Sequence, residues 1–208
     1  MAKRNKGQIE AIEPAVNGLE DLQRSFFETS LPAPPEIEYV PENLDEEADI
    51  PAVVLIFGNG EEAEALGVLA QKCGLEARVA AVGNQEFPWA TEATALETYD
   101  NIVEDCGIER NFFICILEDS NELCELLLSQ ALASDAGYIG FAGDRERIAD
   151  VFEELRKDGV PDAELAAVAA PMGLDIGART PEEKAVAIVA EMLAAKAGKL
   201  KRMRQSHK

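Results

Sequence analysis

The stretch Ala52-Val-Val-Leu-Ile-Phe57 is apolar at every position and runs directly into Gly58-Asn-Gly-Glu-Glu-Ala63. A strand without polar alternates has both faces covered, the condition of a strand inside a parallel sheet with helices on each side. The segment after it has the spacing G-x-G-x-x-A. Glycines at the first two positions let the backbone turn tightly and approach a phosphate, and a small third residue lets the next helix pack close to the sheet.

Downstream, strand and helix signals alternate. Glu61 to Cys73 places Ala63, Leu66, Ala70 and Cys73 at three- and four-residue steps, and Gly74 ends the helix. Ala77 to Val82 is the next strand; Gly83 to Ala95 reads as loop and Leu96 to Cys106 as helix. Asn111-Phe-Phe-Ile-Cys-Ile-Leu117 is another buried strand, followed by a helix over Asn121 to Leu132 that Ser120 can cap. Gly137 to Phe141 is a short strand. Asp144 to Lys157 is amphipathic, with Ile148, Val151, Phe152 and Leu155 on one face and Gly159 as its stop. Thr180-Pro-Glu-Glu183 is a capping box with proline at the first helical position, opening a helix to about Ala197. The fold class that follows is α/β: a Rossmann-like, doubly wound, mostly parallel sheet with helices on both faces. Its ligand crevice is expected at the carboxyl ends of the strands.

Residues 1–50 are different in kind. They carry Pro14, Pro32, Pro34, Pro35 and Pro41 and the acidic run Glu42 to Asp49, so a short helix over Gly18 to Phe27 and a Pro- and acid-rich linker are expected there. The domain proper is placed at 51–198, and 199–208 is a basic tail. That tail lacks interleaved aromatics, and docking on an acidic surface of this chain or of a partner suits it better than nucleic acid or membrane.

Composition removes several function classes. With 40 acidic against 19 basic residues and a formal net charge of -21, the overall field repels polyanions, so no nucleic-acid partner is expected. The one histidine is His207. No imidazole is therefore available inside the fold for a catalytic triad, a Cys-His pair or a histidine-bound metal, and no metal site is expected. Cys73, Cys106, Cys115 and Cys124 form no C-x-x-C and read as buried, reduced thiols. No apolar run reaches the ~20 residues of a membrane span. No apolar segment backs the basic N-terminus as in a secretory signal. The expected location is cytoplasmic, with no membrane partner.

Two readings of the G-x-G loop stay open. Glu61 and Glu62 suit the helix dipole but compete with a phosphate for the same N–H groups. The second strand ends at Val82 and Gly83, without the carboxylate that a ribose 2′-hydroxyl needs; the nearest, Glu86, belongs to the loop. The loop is thus either a dinucleotide site or a framework that binds no ordinary dinucleotide. An NAD(P)-dependent oxidoreductase would also need a proton donor, for which Tyr99 and Tyr138 are the available phenols; Tyr138, inside an apolar strand, is expected to be packed.

The least generic part of the chain is Gly173-Leu-Asp-Ile-Gly-Ala-Arg-Thr-Pro-Glu182. Together with Tyr138-Ile-Gly-Phe-Ala-Gly-Asp-Arg145 and the strand and G-x-G loop at 53–63, in that order, it resembles the C-terminal domain of the XdhC/CoxI accessory proteins of molybdenum hydroxylases. The resemblance runs over about Val53 to Lys196. It implies a Rossmann-like domain that binds the pterin-based molybdenum cofactor, protects it during sulfuration and delivers it to an apo-enzyme of the xanthine or carbon monoxide dehydrogenase type. The partners it implies are that apo-enzyme, a sulfurtransferase and, by analogy, a second copy of the chain. It implies a non-catalytic role, with no catalytic residues. The cofactor-contacting positions it implies are Gly58, Asn59, Gly60, Ala63, Tyr138, Gly140, Gly143, Asp144, Arg145, Gly173, Asp175, Ile176 and Gly177, with Leu174 and Ala178 completing the last loop. Several positions depart from the family pattern. Glu61 stands where a histidine is usual, Val82 and Gly83 where acids are usual, Leu117-Glu-Asp-Ser-Asn121 in place of T-R-G-H, and Asp144 in place of serine. Of the separate N-terminal domain of full-length members, residues 1–50 are expected to supply only the final segment and linker.

Overall fold

The first apolar run forms β1 (Val53–Phe57), in which every residue is buried. In this computed structural model, which describes residues 52–83 and 85–198, β1 lies at the centre of the sheet. On one side it pairs in parallel with β2 (Glu76–Val82), and on the other with β4 (Phe112–Ile116). Two further strands, β3 (Glu92–Leu96) and β5 (Tyr138–Phe141), complete a five-stranded sheet of order β3-β2-β1-β4-β5, parallel throughout among the described residues. The order reverses between β1 and β4. That is the topological switch point, outside which ligands bind in open α/β sheets.

Alternation along the central strands divides the core in two. Val53, Leu55 and Phe57 of β1 and Phe112, Ile114 and Ile116 of β4 face one layer, which holds α3 (Asn121–Leu132) and α4 (Arg145–Lys157) through Leu127, Leu128, Val151 and Leu155. Val54, Ile56, Phe113 and Cys115 face the other, which holds α1 (Glu61–Lys72) and α6 (Pro181–Lys196) through Ala63, Leu66, Ile188 and Met192. Each such buried aliphatic or aromatic side chain contributes roughly 1.5–3 kcal/mol, so a polar alternate on β1 or β4 would cost the fold on whichever face it lay.

Several details differ from the sequence reading. The 83–95 segment contains β3, whose residues Glu92, Ala93 and Ala95 are exposed. It is an edge strand made by its register with β2 (Arg78 opposite Glu92, Val82 opposite Leu96) and not by its own hydrophobicity. Among the described residues no helix forms the β2–β3 crossover. Instead Phe87 and Trp89, in edge contact at 5.8 Å, fold onto α1, where a Cβ at Gly67 would stand 2.3 Å from the Trp89 ring. Of the helix expected over Leu96 to Cys106 only the single turn α2 (Ile102–Asp105) forms, and a turn absent from the sequence reading, α5 (Asp162–Leu165), follows α4. Cys106, Cys115 and Cys124 are buried as expected, whereas Cys73, at the carboxyl end of α1, is exposed. The helix expected over 18–27, its linker and the 199–208 tail lie outside the described residues.

Candidate functional site at the switch point

Gly58 leaves β1 with φ +135°, where a Cβ would lie 2.9 Å from Leu117 Cβ and 3.0 Å from the Leu117 backbone. The chain leaving β4 is held against it by a bond from Leu117 N–H to the Phe57 carbonyl, 2.7 Å. Glycine is needed at 58 because two loops touch there. Asn59 and Gly60 are exposed. Gly60 is the N-cap of α1 at φ +91°, with open space where a side chain would be and no side-chain cap on the first-turn N–H groups. Ala63 is fully buried between helix and sheet, as the small third position requires. The first turn carries Glu61, Glu62 and Glu64, and Glu62 is paired with Lys184 Nζ on the first turn of α6. This ion pair places the amino ends of α1 and α6 side by side on the carboxyl edge of the sheet.

At the exit of β4, Ser120 Oγ accepts from Leu123 N–H and caps α3. The residue that organises this corner is Arg147, one turn into α4, and not the neighbouring Arg145, which is exposed. Its Nη2 donates to the Glu118 carbonyl, its Nε to Asn121 Oδ1 at 2.9 Å, and its guanidinium lies 5.5 Å from the Phe141 ring centre. Cys124 Sγ donates to the same Glu118 carbonyl at 3.4 Å. Burial pushes this thiol up to about 11, against the pull of Arg147. Burial, then the neighbouring Asp119, also raises the Glu118 carboxyl above its ordinary value. Asp144 Oδ1 accepts from Arg147 N–H at 2.9 Å, which makes Asp144 the N-cap of α4. Gly143, half-buried, leads into that cap.

The β5 residues serve packing. Tyr138 is buried, stands edge-on to Phe113 at 5.8 Å, and donates its hydroxyl proton to Glu191 Oε2 at 2.7 Å. A Cβ at Gly140 would lie 2.5 Å from Met172 Sδ. Among the described residues the second phenol, Tyr99, is raised above its ordinary value by burial, and its oxygen accepts from Val82 N–H at the end of β2. Val82 is exposed at that end, and no acid occupies it or Gly83.

Ahead of the Gly173 loop the chain makes a single parallel bridge to the sheet, between Gly140 and Ala169. Met172 N–H still reaches the carbonyl of Phe141, the last residue of β5, at 3.0 Å. The chain then turns onto α6. Gly173, at φ +97°, donates its N–H to Glu191 Oε2 at 2.8 Å, and Leu174 N–H donates to the Ala187 carbonyl at 3.2 Å. Asp175, Ile176 and Gly177 are exposed, Ile176 to 54%. The capping box closes the loop: Thr180 Oγ1 accepts from Glu183 N–H, and Glu183 Oε2 accepts from the N–H groups of Arg179 and Thr180. The switch-point edge therefore gathers the loops at 58–60, 117–120, 142–144 and 173–179, while Tyr138 and Gly140 lie beneath it in the packing.

Two organising residues, Arg147 and Glu191, are absent from the sequence-derived set. Arg147 is hidden among the charges of Arg145-Glu-Arg147. Glu191 had one available signal, an acid inside the apolar run Ile188-Val-Ala-Glu-Met192. Among the described residues no His, Cys, Asp or Glu cluster is arranged to hold a metal, and no helix is long and apolar enough to cross a membrane.

Comparison with known proteins gives three findings. The family model described as the XdhC Rossmann domain matches residues 54–192. The protein YqeB of Escherichia coli (strain K12) is 29% identical over 153 residues, which is 70% of this chain and 27% of that protein. A crystal structure titled as a xanthine dehydrogenase from Bacillus halodurans superposes with a TM-score of 0.59 at 24% identity, over 76% of this chain and 44% of that one. At that identity it supports the fold. The chain thus spans about a quarter of the length of the curated relative and under half of the solved one.

Proposed function

The chain belongs to the XdhC Rossmann-domain family, and from that premise we propose that it is an accessory factor for a molybdenum hydroxylase, handling the molybdopterin-type cofactor before its insertion into the apo-enzyme. The family match over 54–192 carries this reading. The switch-point backbone fits a phosphate-bearing group: Gly60 leaves the first turn of α1 without a side-chain cap and with open space beside it. Helix N-termini of this kind accept anions through N–H groups and the dipole. The residues that would hold such a cofactor are Gly58, Asn59 and Gly60 through their backbone, with Lys184 as the nearby cation and the 173–177 loop as the opposite wall. When bound, the cofactor would supply the redox chemistry of the client enzyme; this chain's part is to bind, shield and release it. The apo-hydroxylase, a sulfurtransferase, a second copy of the chain and a cytoplasmic location belong to the same proposal.

The other reading, an NAD(P)-dependent oxidoreductase, is disfavoured by the exposed Val82 and Gly83 where a ribose-binding acid would stand, and by the engagement of Tyr138 with Glu191. Titration calorimetry of the purified protein against molybdopterin, NAD+, NADPH and CTP separates the two. Micromolar binding of molybdopterin, with transfer to an apo-hydroxylase, is the expected result. Micromolar dinucleotide binding accompanied by turnover would overturn the accessory role, and silence toward every ligand would leave a scaffold acting through protein contacts.

A further inference from the structure

Glu191 is 2% exposed and is the one charged residue in the core among the described residues. It projects from α6, a helix otherwise buried through Ala185, Ile188, Val189 and Met192. One of its carboxyl oxygens, Oε2, accepts from two donors far apart in sequence, the Tyr138 hydroxyl at 2.7 Å and the Gly173 N–H at 2.8 Å. Burying an acid is costly unless its oxygens are satisfied. A helix needing only to pack would place Leu or Met there, as it does at Met192. The carboxyl group therefore does something packing does not: it ties the strand that ends at the crevice to the loop that borders it.

The position of that loop depends on this tie. Residue 173 is the point at which the chain leaves the Phe141 carbonyl for α6, and a Cβ there would stand 3.2 Å from the Ile188 backbone nitrogen. Beyond Leu174 no described hydrogen bond holds the loop until Arg179 and Thr180 meet Glu183. Asp175 and Ile176 project from the span between those anchors, both exposed. Their chemistry suits one kind of ligand edge. The aminopyrimidinone edge of a pterin offers paired N–H donors, which a carboxyl group accepts in parallel, and its ring face is apolar enough to lie against isoleucine.

We propose that Glu191 is a positioning residue that holds the 173–178 loop against the crevice so that Asp175 and Ile176 meet the pterin end of the cofactor. The pterin contact rests on the accessory-factor reading; the positioning of the loop does not.

Amide hydrogen exchange on the full chain, without ligand, tests the positioning. In Glu191→Leu, exchange at the Gly173 and Leu174 amides, the two in this loop with acceptors, is expected to rise about ten-fold or more, the effect of losing a buried hydrogen-bond acceptor in a locally opening segment, with β1 and β4 amides unchanged. Glu191→Gln, which keeps an acceptor at the same reach, should restore protection. Tyr138→Phe, which removes one of the two donors, should raise exchange at the loop by a smaller factor and serves if the leucine variant does not fold. Unchanged exchange at Gly173 and Leu174 in a folded Glu191→Leu or Tyr138→Phe protein, or an equal rise across the sheet, would overturn the proposal. Titration with molybdopterin then reads the second half. Asp175→Asn and Glu191→Leu should each weaken binding about ten-fold, and the double variant little more than either, the coupling of residues that act as one unit. Additive losses would overturn the link to Asp175. Failure of the unmodified protein to bind molybdopterin would overturn the pterin contact and the cofactor reading while leaving the exchange result to decide the positioning.

Discussion

The loop after β1 and the loop before α6 border the same edge of the sheet, and each turns on a glycine with left-handed backbone, yet they are held by different forces. At Gly58 the constraint is steric: the Leu117 side chain and backbone occupy the place a Cβ would take. At Gly173 the constraint is polar as well: its N–H is drawn to Glu191 Oε2 while neighbouring backbone of α6 crowds its Cα. The first loop follows from a short stretch of sequence, because strand, turn and helix are contiguous. The second depends on an acid 18 residues away and a phenol 53 residues from that acid. Two loops of similar appearance therefore respond differently to substitution.

The largest effect that separates them is expected at Gly58. Gly58→Ala adds a Cβ at 2.9 Å from Leu117 and strains a positive φ, which together cost roughly 3 kcal/mol. Urea unfolding measures it, and a loss below 1 kcal/mol would mean that the β1 and β4 exits are not in contact in solution. Gly60→Ala is the matched control within the same loop. Its φ is also positive but nothing lies within 4 Å, so only the backbone term of about 1 kcal/mol applies. Equal losses at 58 and 60 would contradict the steric account.

The smallest effect concerns the far end of the second loop. The N–H groups of Arg179 and then Thr180 hold the Glu183 carboxyl below its ordinary value. A lowered carboxyl pKa contributes stability that is present above the unfolded value and lost as pH falls through the folded one. Exchange at residues 179–183 should therefore accelerate as pH drops below the usual glutamate range, after correction for intrinsic rates. In Glu183→Gln that acid dependence should be absent, and its persistence would assign the effect to another carboxyl.

Much of this architecture was legible in advance because the informative residues are close together. The apolar runs at 52–57 and 112–117 announced a buried parallel sheet, and the G-x-G turn, the Ser120 cap and the Thr180 capping box all operate within a few residues of themselves. What was not legible depends on partners distant in the chain. β3 has an exposed, weakly apolar sequence and exists because β2 offers it a hydrogen-bonding edge. The β2–β3 crossover is covered by Trp89 over Gly67, a contact that no local pattern encodes. Arg145 enters through the family motif, and a charge pattern alone does not reveal that Arg147 is the arginine of Arg145-Glu-Arg147 that turns inward.

By itself, then, the sequence determined the class of fold and the family, since these rest on local periodicity and contiguous motifs. Tertiary structure alone decided which motif residues border the crevice and which lie beneath it. It turned Tyr138 and Gly140 into packing groups, left Asp175 and Ile176 exposed, and brought Glu191 from the middle of an apolar helix to the Gly173 N–H. The physical reason is that a hydrogen bond or a steric contact depends on distance in space, and across 18 or 53 residues only the folded sheet and its helices set that distance.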